Sequence, residues 1–211
     1  MKSVIESYFE NELLFRIFIG IFIGLMVVML VAAPKTFKKF VLKMFIIFRN
    51  RKILVFVSTG GTCRDPMAKI ILEQLLIEKK NKIKVYAVGV GAVTSLGASK
   101  AAQFVIKEIY GVNLLKDFKT ANLTSELAKK ADLILCMEEN HVKMVFKLHP
   151  HALGKTKLLR EFFGLTGDVD DPWKEDHEMD AETIERYRIC AKELRKILTD
   201  NIDHLVDTLS V

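Results

Sequence analysis

The sequence predicts an α/β fold, a small doubly wound parallel sheet of about four strands with helices on both faces, preceded by a transmembrane helix. Three observations carry this. The apolar, β-branched run Ile53-Leu54-Val55-Phe56-Val57 leads into a short glycine-containing loop and a helix start near Pro66. Strand-like runs then alternate with amphipathic stretches, which implies parallel strands joined by helical crossovers. Ahead of them, Ile17–Ala33 is uncharged and apolar throughout.

As a helix, the 21 residues from Leu13 to Ala33 would span about 31 Å, close to a bilayer core, with Arg16 able to reach the headgroups. A cleaved leader fits less well: Glu6, Glu10 and Glu12 precede the apolar run, and Pro34 follows its small-residue site. Lys35, Lys38, Lys39, Lys43, Arg49, Arg51 and Lys52 all follow the span, placing the rest of a single-pass chain on the cytoplasmic side. Phe37, Phe40, Val41, Met44, Phe45 and Phe48 then recur at helical spacing opposite four lysines. That pattern suits an amphipathic helix lying on anionic lipid, with packing on the domain or continuation of the span as alternatives. The expected organisation is a short segment 1–12, a transmembrane helix 13–34, a basic juxtamembrane segment 35–51 and a domain 52–211.

Charge follows the same division. Residues 1–52 hold nine Lys and Arg against three Glu, giving +6, and the remaining 23 basic and 23 acidic residues cancel. The basic character therefore belongs to the membrane-proximal part and argues against nucleic acid as a partner of the domain. Cys63, Cys136 and Cys190 are widely spaced, and the five histidines show no ligand spacing, so no structural metal and no cofactor are expected.

Within the domain, strands are expected at 53–58, 83–90, 132–137 and near 156–160. Helices are expected near 66–80, 98–110, 123–130, 138–148 and 180–209. The last is the clearest, with Ile184, Tyr187, Ala191, Leu194, Leu198, Ile202, Leu205 and Leu209 tracing one apolar stripe. In parallel sheets of this kind ligands bind beyond the carboxyl ends of the strands, where Ser58 to Arg64 falls.

That stretch, Ser58-Thr59-Gly60-Gly61-Thr62-Cys63-Arg64-Asp65-Pro66-Met67-Ala68, has the makings of an anion site. Loop N–H groups converge toward a helix N-terminus, and Arg64 adds a planar fork for phosphate oxygens. Here the sequence resembles the low-molecular-weight protein tyrosine phosphatases, whose loop commonly reads V-C-x-G-N-x-C-R-S-P-M-A. Two further marks agree in order: Ala131-Asp132-Leu133-Ile134-Leu135-Cys136-Met137 followed by Glu138 and His141, and Asp168-Val169-Asp170-Asp171-Pro172-Trp173. The resemblance covers residues 52 to 211 and implies the same doubly wound fold. It also implies phosphate contacts from Ser58, Thr59, Gly60, Gly61, Thr62, Cys63 and Arg64, a general acid at Asp171 and an aromatic wall at Trp173.

The departures lie in the chemistry. Ser58 stands where the family has its nucleophilic cysteine, Gly61 where it has asparagine and Asp65 where it has serine. A serine hydroxyl is far harder to ionise than a thiol and needs an adjacent base. An ionised Asp65 would repel a thiolate, yet it can accept a bond from a neutral Ser58 hydroxyl. Asp65 also fits a first-turn carboxylate on the helix dipole, or a general base for Ser58. Gly61 preserves the loop's positive φ but loses a side-chain brace. Asp171 and Trp173 have plain readings too, as a turn carboxylate before Pro172 and a half-buried packing ring.

Four functional readings follow. The first is a membrane-anchored phosphatase-like protein, inactive as written, that binds phosphate or a phosphorylated protein ligand and meets lipid through 13–51, with a protein partner at the membrane possible. The second is an active tyrosine phosphatase whose nucleophile was changed to Ser58 as a substrate trap. The third is a membrane-tethered scaffold in which Arg64 pairs with Asp65 and the pocket is closed. Arsenate reduction is the weakest, since it needs the nucleophilic cysteine and a redox partner.

Overall fold

The computed structural model describes residues 51–174 and 179–210, together with Lys39. The chain divides into two units, Met1–Asn50 and Arg51–Val211, and the second carries every element below. The expected segments 1–12 and 13–34 and nearly all of 35–51 lie outside the described residues. No helix among the described residues is long and apolar enough to cross a membrane.

Ile53–Ser58 (β1) is the centre of the fold, because its alternate side chains feed two different cores. Leu54 and Phe56 face one side of the sheet, and Val55 and Val57 the other. The loop after β1 enters Arg64–Glu78 (α1), followed by Lys84–Gly89 (β2), Lys100–Tyr110 (α2) and Ser125–Lys130 (α3). Then come Leu133–Cys136 (β3), Glu139–Leu148 (α4), a 3₁₀ turn at Pro150–Lys155, Thr156–Leu158 (β4) and Leu159–Phe162 (α5). Ala181–Asp200 (α6) and Ile202–Ser210 (α7) close the chain.

All four strands run parallel in the order β2-β1-β3-β4. β1 therefore has a strand on each side, and its carboxyl end sits at the crevice where the order reverses. The larger core joins Leu54, Phe56, Leu133 and Leu135 to α1, α2, α6 and α7. The smaller one joins Val55, Val57, Ile134 and Cys136 to Ala128 of α3, Val145 of α4 and Ala152. Covering both faces explains why β3, and β1 up to Ser58 at its carboxyl end, are apolar at every position instead of alternating.

The elements depart from expectation mainly at the C-terminus. The single helix expected over 180–209 is two helices, broken at Asn201, whose side-chain amide donates to the Ile197 carbonyl at 2.9 Å. The apolar stripe continues across the break through Leu198, Ile202 and Leu205, all buried, so periodicity alone conceals it. Asp180 caps α6 by accepting from the Thr183 N–H at 2.6 Å.

Candidate functional site

The loop between β1 and α1 is held open by its neighbours. The carbonyls of Ser58 and Thr59 accept from the N–H groups of Val90 and Gly91, each at 3.0 Å, and the Thr62 carbonyl accepts from Ser99 at 2.9 Å. The described peptide bonds are all trans, so a carbonyl turned outward points the next N–H inward. The N–H groups of Thr59, Gly60 and Cys63 are thereby aimed at the loop's centre, at the N-terminus of the 15-residue α1.

Two glycines make this geometry possible. Gly61 adopts φ +73°, the left-handed region that side chains other than Asn rarely take. A Cβ on Gly89, at the end of β2, would lie 2.5 Å from the Thr59 carbonyl oxygen and 2.8 Å from Ala92 Cβ. Only a residue without a side chain lets β2 approach the loop this closely.

A cavity of about 440 Å³ opens here, lined by Ser58, Thr59, Gly60, Thr62, Cys63, Arg64, Asp171 and Trp173. Of the seven phosphate-contact residues implied by the resemblance, six line it. Gly61 does not; its N–H donates to Ser58 Oγ at 3.1 Å.

Behind the floor lies Asp65, fully buried and outside the lining. Ser58 Oγ donates to Asp65 Oδ1 at 2.5 Å, while Asp65 Oδ2 is buried with no hydrogen-bond partner. Burial raises the Asp65 pKa to about 7, against the opposing pull of the Ser58 hydroxyl, its own backbone and the Arg64 charge. Asp65 is thus poised between its neutral and ionised forms, where the sequence suggested a simple carboxylate.

Arg64 does not pair with Asp65. Its guanidinium, 2% exposed, donates to the Val169 carbonyl at 2.8 Å and to Asp171 Oδ2 at 2.7 Å, and forms a further short bond to Glu138 Oε1. The residues that bring these partners in are tied to β3. The Val169 N–H donates to the Met137 carbonyl, and Asp168 Oδ1 accepts from the Glu139 N–H at the start of α4, each at 2.9 Å. The 168–171 segment is thereby carried to the carboxyl edge of the sheet, with Asp171 and Trp173 on the cavity rim.

His141 braces the loop from α4. Its Nδ1 accepts from the Glu138 N–H at 3.1 Å, which leaves the proton of the neutral ring on Nε2, 2.7 Å from Thr59 Oγ1. Thr59 therefore accepts from the histidine and keeps its own hydroxyl proton for a ligand in the cavity. Burial lowers the His141 pKa, consistent with a neutral ring, although Glu138 pulls the other way.

The three cysteines are free and buried. Cys63 Sγ lies 2.9 Å from the Tyr187 hydroxyl and 3.3 Å from Thr62 Oγ1. Burial raises its pKa, and pushes Cys136 and Cys190 to about 12, so none is a ready thiolate at neutral pH.

Sequence reasoning placed the loop, Asp171 and Trp173 together, and the structure does so too. It gave no site role to Glu138, His141, Tyr187 or Gly89. The usable signal was position: Glu138 and His141 immediately follow a β3-like run, at the carboxyl edge where such sheets bind ligands.

Comparison with known proteins gives the same picture. The family model for low molecular weight phosphotyrosine protein phosphatase matches residues 53–207. A protein-arginine-phosphatase of Geobacillus stearothermophilus is 33% identical over 161 residues, 74% of this chain and 95% of that protein. The crystal structure of a low molecular weight protein tyrosine phosphatase from T. tengcongensis superposes with a TM-score of 0.66 at 31% identity, covering 72% of this chain and 99% of that one. An arginine phosphatase solved as a cysteine-to-serine mutant with a phosphorylated active-site serine has a TM-score of 0.65 at 28% identity, covering 72% and 95%. With β1, its loop, α1 and the Asp171 segment arranged as described, the chain belongs to the low molecular weight phosphotyrosine protein phosphatase family.

Proposed function

We propose that this family member is a membrane-anchored protein whose cradle binds phosphate or a phosphorylated protein side chain, with turnover impaired. The observation that carries the reading is Ser58 Oγ on the floor of an open cavity, bonded to Asp65 where a thiolate would need a neutral donor. Inward N–H groups, the free proton of Thr59 and the Arg64 fork supply the contacts that an oxyanion needs. Of the three similar proteins described above, two are named for arginine dephosphorylation and one for tyrosine, so phosphorylated arginine and tyrosine side chains are the ligand classes to try first.

The open cavity favours a binding role over a closed scaffold, and the fit of Ser58 with Asp65 favours a serine that belongs here over a trapping substitution. Residues 13–34 and the lysines after them would hold the domain at the cytoplasmic membrane face.

Tungstate binding by the full chain in detergent tests the reading, alongside aryl phosphate turnover. The expected result is a rise in melting temperature with tungstate and negligible turnover. No shift with tungstate would remove the binding role, and rapid turnover would remove the impairment. Protection of the domain from added protease in sealed inside-out vesicles would count against the orientation.

A further inference from the structure

Ser58 and Asp65 do more than tolerate each other. We propose that they form a nucleophile and general base, through which Ser58 takes the phosphoryl group of a phosphoramidate and holds it as phosphoserine. The inference rests on the phosphate-binding reading above and adds a chemical step to it.

The geometry meets the requirements of the step. Ser58 Oγ lines the cavity, so a bound phosphoryl group meets it directly. On the far side Asp65 Oδ1 lies 2.5 Å away, within reach of the hydroxyl proton. The Gly61 N–H, 3.1 Å from the same oxygen, stabilises charge developing on it. Asp65 Oδ2 has no partner of its own, so no competing bond holds the carboxyl group away from Ser58. Its raised pKa also suits a base working near neutrality.

In the step, an Oγ–P bond forms as the donor's P–N bond breaks. The Ser58 proton passes to Asp65, and the departing nitrogen takes a proton from water at the open rim of the cavity. No electrons are exchanged, and apart from that water the donor is the only co-reactant. A phosphoramidate is the fitting donor because its nitrogen leaves readily once protonated, which a weak oxygen nucleophile needs. Trp173 and Asp171 also offer the rim a ring face and a carboxylate, both suited to a guanidinium leaving group. Serine leaves phosphorus far less readily than a thiolate, so the phosphoserine accumulates.

The test incubates the full chain in detergent with phosphoarginine or with para-nitrophenyl phosphate and follows intact mass and the modified residue. Phosphoarginine is expected to add one phosphate, on Ser58, and Ser58→Ala to add none. Asp65→Asn is expected to slow labelling on the order of 10²–10⁴-fold. With wild type, the labelling rate should rise as pH passes through about 7 and then level off. The charged groups bearing on Asp65 are Arg64 and Asp171, which lower and raise its pKa respectively.

Equal labelling of Asp65→Asn and wild type would overturn the base role. Should that variant fail to fold, a flat wild-type pH profile would overturn it equally. Faster labelling from the aryl phosphate would overturn the donor class. If wild type binds tungstate yet gains no phosphate, the step is wrong and the binding reading survives; if it binds no tungstate, the binding reading has itself failed.

Discussion

At the floor of the cavity Asp65 is sealed from water and shares one hydrogen bond with a hydroxyl, whereas at the rim Asp171 is half exposed and grips a guanidinium. The two aspartates have the same chemistry and differ in surroundings. Burial outweighs the nearby Arg64 charge and the Ser58 bond and pushes Asp65 toward its neutral form. The rim is built from charge, with Arg64 shared between Glu138, Asp171 and the Val169 carbonyl. The floor thus governs proton transfer and the rim governs anion recognition, so mutations should separate the two.

The largest effect is expected from converting the floor. Ser58→Cys combined with Asp65→Ser should restore a thiolate with a neutral donor beside it, raising aryl phosphate turnover by ~10³-fold or more over wild type. Ser58→Cys alone should gain much less, because Asp65 opposes ionisation of the new thiol. Comparable rates for the single and double variants would show that Asp65 does not control the floor.

Breaking the rim should cost stability as well as binding. Arg64→Ala leaves Glu138 and Asp171 without their shared cation and should destabilise the domain by about 3 kcal/mol, while abolishing the tungstate-dependent rise in melting temperature. Retained tungstate binding would mean that the loop N–H groups suffice and the rim is dispensable.

A third change acts on the loop between them. Gly89→Ala would drive a Cβ to 2.5 Å from the Thr59 carbonyl oxygen, where backbone must give way. A loss of about 1–3 kcal/mol is expected in thermal unfolding, with weaker tungstate binding because the Thr59 hydroxyl and the Gly60 N–H shift together. An unchanged melting temperature would show that β2 can withdraw from the loop without penalty.

These residues also show how much of the site the sequence could reveal. The β1 run, the glycine loop and the Asp-Pro segment are local signals, and each was legible because its chemistry lies in neighbouring residues. Gly61 was readable for the same reason, since the family has asparagine there and both residues accept positive φ. Glu138, Tyr187 and Gly89 were not, because their roles exist only across the fold: Glu138 reaches Arg64 over 74 positions and Tyr187 reaches Cys63 over 124. The break at Asn201 was hidden because the apolar stripe runs through it unbroken. The Ser58–Asp65 pairing was legible as a possibility, but the ionisation of Asp65 was not, since burial is a property of everything packed around it.

The smallest effect is the most direct measure of that burial. Asp65 has a folded-state pKa of about 7 against an ordinary 3.8, so the folded protein keeps a proton that the unfolded chain gives up. The resulting stability is fully present below the unfolded pKa and is lost as pH rises through the folded one. Asp65→Asn removes the titration while keeping the shape of the side chain. The variant's unfolding free energy should therefore gain on wild type by about 1 kcal/mol between about pH 6 and about pH 8, read from denaturant titrations at each pH. Parallel pH curves for wild type and Asp65→Asn would mean that Asp65 is ionised throughout this range, and that burial at the floor does not hold its proton.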